Sequence, residues 1–261
     1  MSGNLPRGLA VLELLARHVD GLPLHAIAHA LDTSRSTAHR LLAELVANGY
    51  VRQEGEFNPY RLTLKLATLG LTYLADTGVT ELVQPILNKL ASATGELVRM
   101  SLVEGERLIW VAKAQGARGG LRYDATSDPG EEVRLFCSSN GHAWLSCLSD
   151  EKALEIVSRQ GFGEPGSFGP NAPRTIQAFL DCLHLARRRG YAAVHESYEV
   201  GTSAMSAPVH LSGDQRVIGA VTIAGPTARL TPERMEDLAP ELIATAAELS
   251  KNSAGIRALA R

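Results

Sequence analysis

The sequence predicts an α/β (α+β) fold: an N-terminal winged helix-turn-helix, a linker helix, and a larger C-terminal domain in which helices pack on an antiparallel-type sheet. Three observations predict it. Apolar residues recur with helical spacing in three short stretches before residue 48, two β-like runs follow directly, and beyond residue 79 helical and strand-like patterns alternate to the end. The expected domains are 1–62, 63–78 and 79–261.

Leu5, Leu9, Leu12 and Leu15 mark the first helix, and Asp20-Gly21 supplies a turn. After Pro23, which suits a first-turn position, Leu24, Ile27, Ala28 and Leu31 repeat the apolar spacing. Asp32-Thr33-Ser34 breaks it with capping side chains, and Ala38, Leu41, Leu42 and Leu45 resume it up to Asn48-Gly49, a helix stop. Two short amphipathic helices so separated form a helix-turn-helix, whose second member fits a DNA major groove.

At about 100° per residue, Ser36, His39, Arg40 and Ala43 lie opposite the apolar stripe of the third helix, flanked by Arg35 and Thr37. Arg40 can donate two hydrogen bonds to a guanine edge. Arg35, Ser36 and Thr37, with Ser34 at the helix start, are placed for phosphates, and His39 completes the candidate set. The same pattern also describes an ordinary solvated surface. Residues 50–52 and 60–62 read as strands around a polar loop, a wing, with Arg52 and Arg61 where it would meet the DNA backbone or simply point to water.

A formal charge of -2 over 261 residues excludes coating nucleic acid through bulk positive charge, so DNA contact must be local. Cys137, Cys147 and Cys182 lack the close paired spacing of a zinc site or disulfide framework and read as reduced thiols; neither metal nor cofactor is expected. No leader-like start and no apolar run of about 18 residues is present, so a cytoplasmic protein without membrane contact is expected.

From 62 to 75, Leu62, Leu66, Leu69 and Tyr73 occupy one side of a helix and Leu64, Leu71 and Leu74 other sides. A helix apolar all round is buried, and here the economical cover is a second copy, making a homo-oligomer. Beyond it come a helix at 82–93 and a hairpin at 97–113. Helices at 141–148, 151–160, 175–189 and 231–250 then alternate with strands at 191–195, 205–210 and 217–224. The glycine- and proline-rich stretch 161–173 reads as a surface loop.

The runs RGLAVLELL (7–15), LHAIAHAL (24–31), SRSTAHRLLAELVANGYV (34–51) and YRLTLKLATLG (60–70) occur together and in order. With SSNGHAWLSCL (138–148), RRRGYAAVHESYEVGTSAMSAPV (187–209) and VIGAVTIAGPTARLT (217–231), the chain resembles the IclR family of bacterial transcriptional regulators over nearly its whole length. The resemblance implies a GAF-like effector-binding domain, assembly as a dimer or dimer of dimers, and double-stranded operator DNA at a promoter, with repression the commoner outcome.

It also implies an effector pocket at Val133, Ser139, Asn140, Val194, Ala204, Thr222 and Ala224. The chain departs from the family at His142 for lysine, Val194 for aspartate and Ala204 for cysteine. Free amides at a helix start near Gly141 would favour a carboxylate, so a small organic acid is expected as effector. Loss of acid and thiol suits an aromatic or longer-chain one. Arg122 or Arg134 can pair with that carboxylate or lie on the surface.

Cys137, Ser138, His142, His195 and Glu196 invite a nucleophile-and-base reading, but no hydrolase elbow, zinc-protease helix or phosphate loop accompanies them. The expectation is a regulator and not an enzyme; the alternatives are a ligand-binding protein-interaction module without DNA binding, or a hydrolase.

Overall fold

Leucines and alanines three and four residues apart build α1 (Asn4–Ala16), α2 (Leu24–Ala30) and α3 (Arg35–Ala47). A computed structural model of the chain describes residues 3–55, 57–76, 79–117, 119, 121–124, 130–164 and 166–255. They fall into two units, Met1–Asp76 and Thr77–Arg261. The linker boundary expected at 78 lies outside the described residues.

In the first unit, Pro23 stands extended as the N-cap of α2, one place earlier than a first-turn proline. Ser34 caps α3, accepting the Thr37 amide at 3.2 Å, a bond worth about 1 kcal/mol. The helix stops where Gly49 takes φ 74°, a left-handed conformation that a side chain would oppose. The chain returns as β1 (Val51–Arg52) and β2 (Arg61–Leu62), an antiparallel pair, and Leu22 bridges to Tyr60 at its edge. Val11, Leu15, Ile27, Leu42 and Val51 close a small core beneath, each contributing about 1.5–3 kcal/mol by leaving water. α4 (Lys65–Asp76) follows, and its Leu66, Leu69, Leu71 and Tyr73 are exposed in the single chain. The side chain of Leu74 lies outside the described residues.

The second unit begins with α5 (Val79–Thr94) and is organised by five strands: β3 (Leu97–Glu104), β4 (Arg107–Gln115), β5 (Ala192–His195), β6 (Thr202–His210) and β7 (Val217–Pro226). Their order is β4-β3-β7-β6-β5, every neighbouring pair antiparallel. Side chains alternate across the sheet. Val98, Met100, Met205, Ala207, Val221 and Ile223 face one core with Leu87 and Leu90 of α5 and with Leu242 and Leu249 of α9 (Pro232–Lys251).

The other face carries α6 (Ser139–Leu145) and α8 (Ile176–Arg189), with α7 (Asp150–Gln160) packed beside them over Trp110, Phe136 and Leu108. Ala143 of α6 meets Ala186, Ala192 and Ala220, so only methyl groups separate α6 from the sheet and α8. Gly141 packs against the loop that leads into α6: a Cβ there would lie 2.2 Å from the Leu135 carbonyl oxygen. The described residues of 161–173 form an irregular connection between α7 and α8.

Glu96, at 1% exposure, sits between α5 and β3 and receives two hydrogen bonds from Arg229, at 2.8 and 2.7 Å. Removing the arginine strands a buried carboxylate. We expect Arg229→Met to lower the unfolding free energy of the second unit by about 3 kcal/mol in urea titrations, and Glu96→Gln added to it to restore part of the loss. A cost below about 1 kcal/mol would mean that the pair does not hold this corner.

Candidate DNA-binding face and ligand cavity

On α3, Ala38, Leu41 and Leu42 are buried, which turns Arg35, Ser36, His39, Arg40 and Ala43 outward, as the helical period requires. The hydroxyls at the helix start are partly engaged with one another: Ser34 Oγ donates to Thr37 Oγ1 at 2.9 Å and lies 3.0 Å from Ser36 Oγ. Ser34 is thus first a helix cap. The wing arginines, cross-strand neighbours, have local partners: Arg52 pairs with Glu54 at 2.6 Å, and Arg61 Nε donates to the Asp20 carbonyl at 2.9 Å, tying the wing to the turn before α2.

In the second unit the sheet register brings distant residues into two adjacent rows on the α6 face. One row is Val194, Ala204 and Ala224; the next is Ser206, Thr222 and Arg99. Ser139 and Asn140 descend from α6, and Val133 is held at the β4 edge by its amide bond to the Leu108 carbonyl at 2.8 Å. All seven residues singled out in the sequence line one cavity of about 590 Å³, counting its open mouth.

Among the lining residues that sequence reading missed are Arg99, Trp110, Tyr123, Tyr198 and the carboxylate Glu132. Arg99 is only 6% exposed, and its guanidinium stacks 3.5 Å from the centre of the Trp110 ring. A β-bulge makes this contact. Arg99 pairs with Lys113 but Ser101 pairs with Trp110, so Val111 is the extra residue and Trp110 is re-aimed to the cavity face. The signal was present: an arginine inside the apolar run Leu97 to Val103 has no reason to be there unless its face is not core. Tyr123 stays a neutral phenol, its acidity pushed to about 12 by burial and by the Glu199 carboxylate beside it.

The expected polar groups of the pocket, Ser139, Asn140 and Thr222, are joined in one hydrogen-bonded series. Ser101 Oγ donates to Asn140 Oδ1 (2.8 Å), Asn140 Nδ2 to Thr222 Oγ1 (2.9 Å), Thr222 meets Ser206 (2.8 Å), and Ser206 meets Ser139 (2.7 Å). The helix start expected at Gly141 is corrected as well: α6 begins at Ser139, and Ser138 Oγ accepts the Gly141 amide at 3.1 Å, so that amide does not await an anion. Arg122 pairs with Asp124 at the surface, whereas Arg134 stands at the cavity. His195 meets Ser203 Oγ at 3.0 Å and Glu196 accepts the Gly201 amide at 2.9 Å, a turn that closes the β5–β6 end.

Burial raises the Cys137 thiol to about 12, which removes it as a nucleophile near neutral pH. Among the described residues, no helix is long and apolar enough to cross a membrane, and no cluster of three metal-binding side chains occurs.

A winged helix-turn-helix joined in one chain to a cavity-bearing antiparallel α/β unit defines a class of DNA-binding regulator. Comparison with known proteins gives the family. Residues 5–55 match the IclR helix-turn-helix domain, and residues 71–251 match the C-terminal domain of bacterial transcriptional regulators of the IclR type. The chain belongs to the IclR family of bacterial transcriptional regulators.

It is 31% identical over 251 residues to the DNA-binding transcriptional repressor YiaJ of Escherichia coli, covering 95% of this chain and 87% of that one. An IclR-type transcriptional regulator from Alicyclobacillus acidocaldarius has the same fold with a TM-score of 0.79, at 24% identity, over 95% and 97% of the two chains. An IclR homologue from Microbacterium hydrocarbonoxydans, solved with 4-hydroxybenzoate, gives a TM-score of 0.78 at 19% identity over 98% and 100%. The last two likenesses carry the fold alone.

His142, where the family usually has lysine, is 1% exposed and lies 2.7 Å through Nε2 from the Phe136 carbonyl, with its ring edge-on to Phe179. A carbonyl oxygen only accepts, so Nε2 must donate to it, and the neutral ring carries its hydrogen there. Burial lowers its pKa from 6.5 to about 4. Between these values the unfolded chain binds a proton that the folded chain refuses, so stability is complete above 6.5 and falls as the pH drops toward 4. Acid titration of the unfolding free energy should show a loss of about 3 kcal/mol from this group, absent in His142→Gln. Equal slopes for both proteins would contradict the burial account.

Proposed function

We propose that the chain is a repressor that reads operator DNA through α3 and releases it when the cavity binds an aromatic carboxylate. The observation that carries the ligand class is the wall itself: a buried guanidinium stacked on an indole, beside small apolar residues where the family has acid and thiol. A stacked guanidinium presents its N–H fork in its own plane, which matches a carboxylate, and Trp110 with Tyr198 offers flat apolar surface to a ring. With the Gly141 amide capped, Arg99 is the anchor of choice for the negative charge, assisted at the mouth by Arg134.

For the DNA, Arg40 is the base reader, since it stands on the exposed ridge of α3 with a reach suited to guanine. Arg35, Ser36 and His39 serve the backbone, and Arg61 positions the wing. Two copies pair through the exposed leucines of α4, which covers that apolar surface and supplies two recognition helices for one operator. Effector binding shifts the population between DNA-competent and released states by its differential affinity for them. The setting is the cytoplasm, with no catalytic step.

Arg40→Ala should weaken binding to the operator by about 10- to 100-fold and flatten the preference over altered sites, measured by fluorescence anisotropy. Wild-type affinity and preference in the variant would remove Arg40 as reader. The 4-hydroxybenzoate of the Microbacterium homologue suggests a first probe. In calorimetry of the full chain against substituted benzoates, Arg99→Met should lose at least about 30-fold in affinity for whichever acid binds, and an unchanged affinity would take Arg99 out of the site.

A further inference from the structure

The tip of the wing carries the most exposed large apolar side chain among the described residues, Phe57, at 94% exposure. A phenyl ring left in water forgoes the gain from burying its apolar surface. It is also presented firmly. Asn58 Nδ2 donates to the Glu54 carbonyl at 2.5 Å, the Asn58 amide to the Gly55 carbonyl at 3.1 Å, and Gln53 Nε2 to the Asn58 carbonyl at 2.9 Å, so hydrogen bonds join the described residues on either side of the exposed ring.

Phe57 shares a groove of about 980 Å³ with α2 and the start of α3, whose other walls include His25, Arg35, His39, Gln53 and Asn58. One wall thus belongs to the helix that carries the candidate base reader and the other to the wing. Arg35 and His39 of α3, with His25 of α2, offer a guanidinium and two imidazoles, donors suited to phosphate oxygens; the wing offers a phenyl ring, its Gln53 and Asn58 amides being bonded within the loop. Between Arg52 and Arg61 the sequence has no lysine or arginine, and Arg52 is paired with Glu54. The tip therefore has no free cation with which to hold phosphate, and its exposed ring suits the apolar faces of sugars and bases.

We propose that one DNA strand runs through this groove, its phosphates on Arg35, His39 and His25, and that Phe57 enters the adjoining minor groove, packing on sugars or wedging at a flexible base step. The wing then contributes to operator affinity through an apolar contact and not through its arginines. This rests on α3 lying in the major groove, so the experiment separates the two.

Operator duplexes are first selected from random sequence by the wild-type protein. Phe57→Ala and Phe57→Trp are then compared with wild type by anisotropy over a salt series and by hydroxyl-radical footprinting. Phe57→Ala should bind about 10-fold more weakly, with the slope of log affinity on log salt unchanged because no phosphate contact is lost, and with minor-groove protection beside each half-site gone. Phe57→Trp should keep both affinity and protection. Binding by Phe57→Ala within about two-fold of wild type with an unaltered footprint overturns the proposal, as does a loss explained by a changed sedimentation coefficient, which would assign Phe57 to a protein contact. Failure of the wild type to enrich any sequence removes the groove reading of α3, and Phe57's role with it.

Discussion

The seat of α6 on the sheet is the constraint on which the second unit depends. A seven-residue helix has little stability of its own, and this one is fixed by side chains from three strands: Ser101, Thr222 and Ser206 bond Asn140 and Ser139 in an unbroken buried series. Because each polar group finds its partner within the series, desolvation costs little, and α6 can press methyl to methyl against the sheet. The alanines at the contact follow from that approach.

The same constraint decides the chemistry of the cavity. The hydroxyl and amide side chains of the cavity wall hold α6 in place, and the Gly141 amide is closed by Ser138. Arg99 on β3 stands outside that series, and the bulge at Val111 in β4 sets Trp110 against it. A guanidinium tolerates such a site better than an ammonium does, being weakly hydrated, flat and able to stack. The first unit shows a parallel division of labour: Ser34 and Arg61, which sequence reading placed against DNA, maintain the helix start and the wing.

Much of this was legible in advance. The helices of the first unit follow from leucine spacing and from Ser34 and Gly49 at the α3 ends, and the strands from their alternation. The residues of the cavity wall came from family resemblance, since no local pattern ties Val133 to Ala224. What escaped depends on register and partner choice. Arg99 was hidden because an apolar run was read without asking which face each residue takes, and Trp110 because one extra residue in β4 reverses the facing of everything beyond it. That Asn140 and Thr222 bond each other is a fact of three dimensions, with their separation of 82 positions leaving no trace in composition.

The most direct test of the account is operator binding by the full-length wild-type protein, followed by anisotropy, in the presence of a panel of aromatic carboxylates and of their neutral amides at equal concentration. The account predicts that at least one acid weakens operator binding while its amide, matched in size but without charge, leaves it unchanged. Equal effects of acid and amide, or no effect of any acid, would contradict it.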